Sequence, residues 1–448
     1  MFDFSSFALL GPWLILSAGI LVTMLVSSIR VETKLPAKLL TIITLLLVMI
    51  ASAHLYSEDT KSVIGGLIEI SPLSCMAMFF ISGISLLFVI GSSGYLNKEK
   101  LHFSDYYHLL LLMVLGASVL VSAKDLFVMF IALELMSLPA YALVGFRRND
   151  SRSNEAALKY YILGGTIGAI FLLGTSFIFG ASGSTQLGQI FEWSKSYSGE
   201  PLLFIVGHLL LLFAFLFKVA AAPFHFWKPD TYEGAPVLVT GLMSTVVTSA
   251  AFVVLVRLFH IIDFQAPGFA SYLDSLKQVI RITAIMSLIG GSTILILQKN
   301  LKRMLAYSAI NHTGYLLLGL LGSLSKPDQI YSIWFYLTGY SIINCGLFLM
   351  LSQSETIHDQ GLELVDLTGM MKKNPYFAAL SSIFFLSMAG MPFTVGFFTK
   401  YTVFMSSITT GEVQFVILGA ICTVIASYGY LRPVALMVMR DPDPNAAN

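Results

Sequence analysis

Three ionisable side chains sit deep inside apolar runs: Glu134 in LFVMFIALELMSLPAYALVGF, Lys218 in LLFIVGHLLLLFAFLFKVAAA and Lys400 in MPFTVGFFTKYTVFM. Placing such a group in hydrocarbon costs about 2.5–3.5 kcal/mol on insertion scales, so a membrane protein that keeps three of them is expected to use them. Groups that gain and lose a proton at membrane depth point to a path for protons or other cations. Burial favours the neutral form of a lysine, and a carboxylate beside it favours the charged form. If the fold sets Glu134 against Lys218, making and breaking their contact would switch the lysine as a proton donor. The ordinary alternative is a fixed buried ion pair that only orients two helices.

A proton moves along hydrogen-bonded groups, so a relay is needed between such lysines. His225 and His312 are the candidates, because imidazole titrates near neutral pH. His312 lies in RMLAYSAINHTGYLLLG, where Tyr307, Ser308, Asn311, Thr313 and Tyr315 make an unusually polar helix. For it, relay and plain packing stand as alternatives. For His225, which follows Pro223, a hinge role is the expectation.

Two of the apolar runs are interrupted. Pro223 follows Lys218 in FKVAAAPFHFWKPDTYEGAP, and Gly390, Pro392 and Gly396 precede Lys400 in SMAGMPFTVGFFTK. Proline removes a backbone donor, so both helices are expected to break near membrane depth, which is tolerated only where the freed carbonyls meet protein or water.

The elements that position these groups follow from composition. The 448 residues are 56% hydrophobic and only 11% charged, far below the charged fraction of about 25% usual in soluble domains. The chain reads as an all-α polytopic membrane protein. About thirteen runs are long enough to span, at roughly 8–29, 37–56, 73–95, 106–122, 125–145, 158–182, 202–222, 235–262, 277–297, 302–323, 328–352, 374–406 and 412–437. The first should be retained, since Met1 to Leu9 carries only Asp3 as a charge and no cleavage site follows. Transmembrane β-strands are excluded because the runs are continuous and not alternating.

Basic residues set the expected orientation. One set of alternate loops holds Arg30, Lys34, Lys38, Lys98, Lys100, Arg147, Arg148, Arg152, Lys159, Lys228, Lys299, Lys302, Arg303, Lys372 and Lys373; the other holds mainly Lys61, Lys124, Lys195, Lys277 and Lys326. The N-terminus is therefore expected outside and the tail, 438–448, in the cytoplasm. Arg257, Arg281, Arg303 and Arg432 fall near helix ends, where long side chains reach the headgroups.

The two breaks suggest internal symmetry. Residues 1–105 would form three N-terminal helices, 106–262 a five-helix repeat with the first break, and 277–437 a second, inverted five-helix repeat with the other. The net charge of +1 offers no basic face for nucleic acid. Cys75, Cys345 and Cys422 lack the spacing of a zinc or iron–sulfur site, so no metal or cofactor site is expected in this chain.

Together these segments resemble the subunit N family of bacterial NADH–quinone oxidoreductase, respiratory complex I, whose members are antiporter-like. The resemblance rests on ALELMSLPAYALVGF, EAALKYYILGG, FKVAAAPFHFWKPDTYEGAPVLVTGLMS, NLKRMLAYSAINHTGYLLLG and GMPFTVGFFTKYTVF, and runs from about residue 70 to 437. It implies a proton-translocating subunit of the bacterial inner membrane, packed among other membrane subunits. By resemblance Glu134 and Lys218 form the ion pair of one half-channel, and Lys400 is the terminal group near the exit. FMN, iron–sulfur clusters, NADH and quinone would belong to the complex and not to this chain.

Two departures stand out. Thr248 falls where the family usually has a lysine linking the half-channels; a hydroxyl joins a hydrogen-bonded wire but stores no charge. The chain also stops after YLRPVALMVMRDPDPNAAN, which suggests the loss of one final helix. The rival readings are a stand-alone cation–proton antiporter and a structural subunit with impaired conduction.

Overall fold

The computed structural model describes residues 8–29, 34–56, 59–99, 101, 103–354 and 362–441. Asp3, Arg30, Lys100, the side chain of Lys34 and the tail beyond residue 441 lie outside them. Helices dominate: α1 (Gly11–Ile29), α2 (Lys34–Leu55), α3 (Pro72–Lys98), α4 (Phe103–Ser122), α5 (Leu126–Val144), α6 (Ser151–Ser182), α7 (Leu187–Ser196), α8 (Leu202–Lys218), α9 (Trp227–Gly234), α10 (Val237–Leu242) and α11 (Thr248–Phe259). They continue with α12 (Ala270–Leu297), α13 (Leu301–Ser325), α14 (Ile330–Leu351), α15 (Met370–Lys373), α16 (Pro375–Ala389), α17 (Val395–Thr409) and α18 (Val413–Met439). A short antiparallel hairpin, β1 (Lys61–Val63) with β2 (Ile68–Ile70), precedes α3 and pairs Lys61 with Ile70.

Ten helices among the described residues are long and apolar enough to cross a membrane. The expected spans at 202–222, 302–323 and 374–406 are not among them, for physical reasons. The first ends early, at Lys218. The second is α13, whose Ser308, Asn311 and His312 dilute its hydropathy. The third is two helices, α16 and α17, separated by a turn. The expected span at 235–262 contains a π-helical turn, Met243–Val247, between α10 and α11.

The chain divides into two compact units. The first comprises Met1–Lys218 and Val246–Ser275. Within it α5 packs between α4 and α6, α6 packs along α8, and α11 packs on α3, α4 and α8. The second comprises Val219–Thr245 and Leu276–Asn448. Within it α13 contacts α9, α14 and α17, and α16 packs on α14 and α18. Large apolar side chains such as Leu25, Ile50, Ile162, Leu202 and Val424 remain exposed, as expected of surfaces solvated by lipid and not by water.

Local signals set the helix ends. Ser71 caps α3 in a reciprocal capping box with Ser74, and proline follows at its first turn. Asp125 caps α5 by accepting from the amides of Phe127 and Val128, at 2.8 and 3.2 Å, and its other oxygen accepts from Thr185 at 2.6 Å.

Candidate functional site

The cap at Asp125 starts α5 in a register that puts Glu134, Ser137 and Tyr141 on one face. Opposite, α6 presents Tyr160, Gly164 and Gly168, one per turn. A Cβ at Gly168 would lie 2.8 Å from Glu134 Oε1, and one at Gly164 would lie 2.0 Å from the Tyr141 hydroxyl. The two glycines are therefore recesses for polar tips that any larger residue would displace.

Lys218, the last residue of α8, reaches into this face and is only 5% exposed. Its Nζ donates to Ser137 Oγ at 2.7 Å and to the Tyr160 hydroxyl at 3.4 Å. The Tyr141 and Tyr160 rings lie 5.7 and 5.3 Å from it. Among the described residues no ion pair joins Glu134 and Lys218. Ser137, one turn along α5 from Glu134, takes the ammonium instead, while the two charges still sense each other electrostatically. Glu134 is half-buried and lines an open cleft of about 460 Å³ with Phe130, Leu138, Tyr161 and Gly165.

Thr248 is buried at the start of α11, directly after the π-helical turn. Single π turns inside α-helices recur at functional sites.

In the second unit, the segment between α8 and α9 is broken as expected. Ala220 takes a left-handed φ of 56°, and the freed backbone is satisfied by side chains: Thr313 donates to the Val219 carbonyl at 3.0 Å, and Ser287 accepts from the Ala222 amide at 2.8 Å. His225 lies in this segment against the Tyr307 ring, with its Nδ1 buried and, among the described residues, without a hydrogen-bond partner.

Lys400 sits on α17, and its ammonium crosses the second break to the end of α16. It donates to the carbonyls of Met388 and Ala389, at 3.0 and 3.2 Å. These belong to the last turn of α16, where carbonyls have no intrahelical partner and the helix dipole favours a cation. Gly390 ends α16 with φ 81°, and Gly396 packs so tightly that a Cβ would fall 1.7 Å from the Ser387 carbonyl oxygen.

His312 is 4% exposed and held between hydroxyls. Nδ1 lies 2.7 Å from the Tyr336 hydroxyl and Nε2 3.4 Å from that of Tyr430, which in turn meets Ser308 at 2.6 Å. A hydroxyl donates or accepts, so this imidazole can change protonation state without losing either contact.

Several residues fall elsewhere than the sequence indicates. Lys228 and Lys302, counted among loop charges, are 2% and 1% exposed. Both sit beside polar residues that mimic a loop, and tertiary packing covers them. Lys302 donates to the Ala235 carbonyl at 2.9 Å, just past the end of α9. The arginines near helix ends are tied to protein groups. Arg257 donates to the Val121 carbonyl at 2.7 Å, Arg281 pairs with Glu412, Arg303 binds Asp230 and Glu233 at 2.8 and 2.7 Å, and Arg432 donates to the Gln298 carbonyl at 3.2 Å.

His208, unnoticed in its apolar run, is buried with Nε2 3.1 Å from the Leu258 carbonyl and Nδ1 2.7 Å from the Tyr272 hydroxyl. A carbonyl only accepts, so Nε2 carries the hydrogen. The one sequence signal for it is an imidazole ten residues before Lys218 in the same run.

Broken helices, with embedded lysines at the breaks, define an antiporter-like membrane fold of many helices, as the sequence leads one to expect. Residues 123–426 match the family model described as NADH:quinone oxidoreductase/Mrp antiporter, TM, and the chain belongs to that family. It is similar to NADH-quinone oxidoreductase subunit N 1 of Sorangium cellulosum, 37% identical over 360 residues that cover 79% of this chain and 71% of the relative. Subunit N of Geobacillus kaustophilus is 35% identical over 402 residues, covering 88% and 80%. A chain in the structure of respiratory complex I from Thermus thermophilus with bound aureothin shares the fold, with a TM-score of 0.81, 28% identity, and coverage of 96% and 90%.

Proposed function

We propose that this chain is a proton-translocating membrane subunit of an NADH–quinone oxidoreductase, coupling quinone reduction to proton transfer across a bacterial inner membrane. The names of its relatives support the assignment to that complex. The observation that carries the conducting role is the way Lys218 and Lys400 are held. The hydroxyls of Ser137 and Tyr160 accept from the ammonium; Ser137 gives its own hydrogen to the Leu133 carbonyl, a group already paired within α5, and can turn it to a neutral amine instead, so Lys218 can lose its proton and keep a partner. A neutral amine keeps two hydrogens for the two carbonyls that hold Lys400.

In this reading Glu134, Lys218 and Lys400 hold protons in turn, His312 and Thr248 serve as relay groups, and His225 is a hinge. Residues 106–262 and 277–437 act as inverted repeats. The N-terminus lies outside and the tail in the cytoplasm. Redox work at a quinone site on other subunits, which carry FMN and iron–sulfur clusters, drives the movement, and neighbouring membrane subunits complete the path.

The test is pumping per electron in inside-out vesicles containing the assembled complex. Glu134→Gln and Lys218→Ala are each expected to lower it, and an unchanged ratio in both overturns the reading. Purification as a small homo-oligomer, without a redox arm, would identify a stand-alone antiporter.

A further inference from the structure

We propose that Lys228 is a further proton-holding residue of the second unit, exchanging its proton with His312. The inference rests on the proton-conducting reading above and adds a residue to it.

Lys228 lies on α9 and is 2% exposed. Among the described residues its ammonium has no hydrogen-bond or ion-pair partner, and it lies over the Tyr232 ring, 5.4 Å from the centroid. The carboxylates of its own helix, Asp230 and Glu233, are taken by Arg303. The contrast with Lys302 is instructive. Equally buried, Lys302 has a fixed acceptor, the Ala235 carbonyl just past the end of α9, at 2.9 Å. A buried cation without a counter-charge is costly, and one that can shed its proton relieves that cost.

The receiving group is on α13, which packs against α9. His312 is within electrostatic reach of both Lys228 and Lys400. The other titratable groups facing Lys228 are His225 and Tyr232. Around His312 the wall is polar and incompletely satisfied. Among the described residues, the Asn311 amide, beside the hydroxyls of Tyr315 and Tyr430, makes no hydrogen bond of normal geometry through its nitrogen or oxygen, and neither does the Tyr340 hydroxyl. Its ring lies 4.9 Å from that of His312. Buried polar atoms of this kind are the ones that hold internal water. In the transfer an N–H bond of the Lys228 ammonium breaks, its electrons remain as the amine lone pair, and an N–H bond forms on the imidazole. A bridging water gives up one proton as it takes another, and nothing is oxidised.

The experiment compares Lys228→Met, Lys228→Arg and Lys228→His in inside-out vesicles, with assembled complex quantified and Glu134→Gln and Lys218→Ala measured alongside. Met cannot carry a proton and Arg cannot release one. Both are expected to slow pumping by about a hundredfold or more, the scale of a lost acid–base group. His should retain part of the activity with an altered pH profile. Native pumping in assembled Lys228→Arg shows a structural cation and overturns the proposal, as does native pumping in Lys228→Met. If Met does not assemble, the Arg and His variants decide by the same outcomes. Loss in Glu134→Gln with no change at Lys228 rejects this inference alone; no change at Lys228, in Glu134→Gln and in Lys218→Ala rejects the conducting reading as well.

Discussion

Lys400 and Ala389 belong to different helices, yet the ammonium of the first is hydrogen-bonded to the carbonyl of the second at 3.2 Å. The break between α16 and α17 thus provides the acceptors that make an embedded lysine tolerable. Lys218 reaches a comparable electrostatic position by another route, as the last residue of its own helix.

The geometry of the second break depends on two glycines. Gly390→Ala should cost about 1–2 kcal/mol for a left-handed backbone, and Gly396→Ala should cost more, because its Cβ would overlap the Ser387 carbonyl. Thermal unfolding of the purified complex checks the order. Equal stability of the two variants would contradict the packing described.

Ser137 and Tyr160 share the Lys218 ammonium unequally, at 2.7 and 3.4 Å. Ser137→Ala removes the shorter bond, and a hydrogen bond to a charged group is worth about 1.5–3 kcal/mol. Pumping should fall more in Ser137→Ala than in Tyr160→Phe, at matched amounts of assembled complex. A larger effect at Tyr160 would reverse the assignment of the principal partner.

Gly168 leaves the space that the Glu134 carboxylate occupies. Gly168→Ala is expected to displace that carboxylate and lower pumping. In a Glu134→Gln background the same change should add little, since coupled sites are not additive. Fully additive losses in the double variant would place the effect of Gly168 elsewhere.

His208 carries a structural prediction. His208→Phe leaves the Leu258 carbonyl and the Tyr272 hydroxyl without this partner, at a cost of about 1–3 kcal/mol for each unsatisfied group. The melting temperature should fall while pumping per electron in the assembled complex stays unchanged. A selective loss of pumping would show that this imidazole conducts.

Glu134, Lys218 and Lys400 were legible because a charge within an apolar run is a local anomaly, visible without any knowledge of neighbours. The breaks beside the lysines were legible for the same reason, since proline and glycine act on the backbone where they stand. Lys228 and Lys302 were not, because Pro229, Asp230 and Asn300 beside them look like loop, and burial is decided by what packs over a residue. The acceptors of the ammonium groups were hidden too. Ser137 is 81 positions from Lys218, and no spacing rule links them. Sequence by itself determined that this chain lies in a membrane with costly ionisable groups along it, because hydropathy is a sum over neighbouring residues. Tertiary structure decided which hydroxyls and carbonyls hold those groups, because a hydrogen bond depends on separation in space.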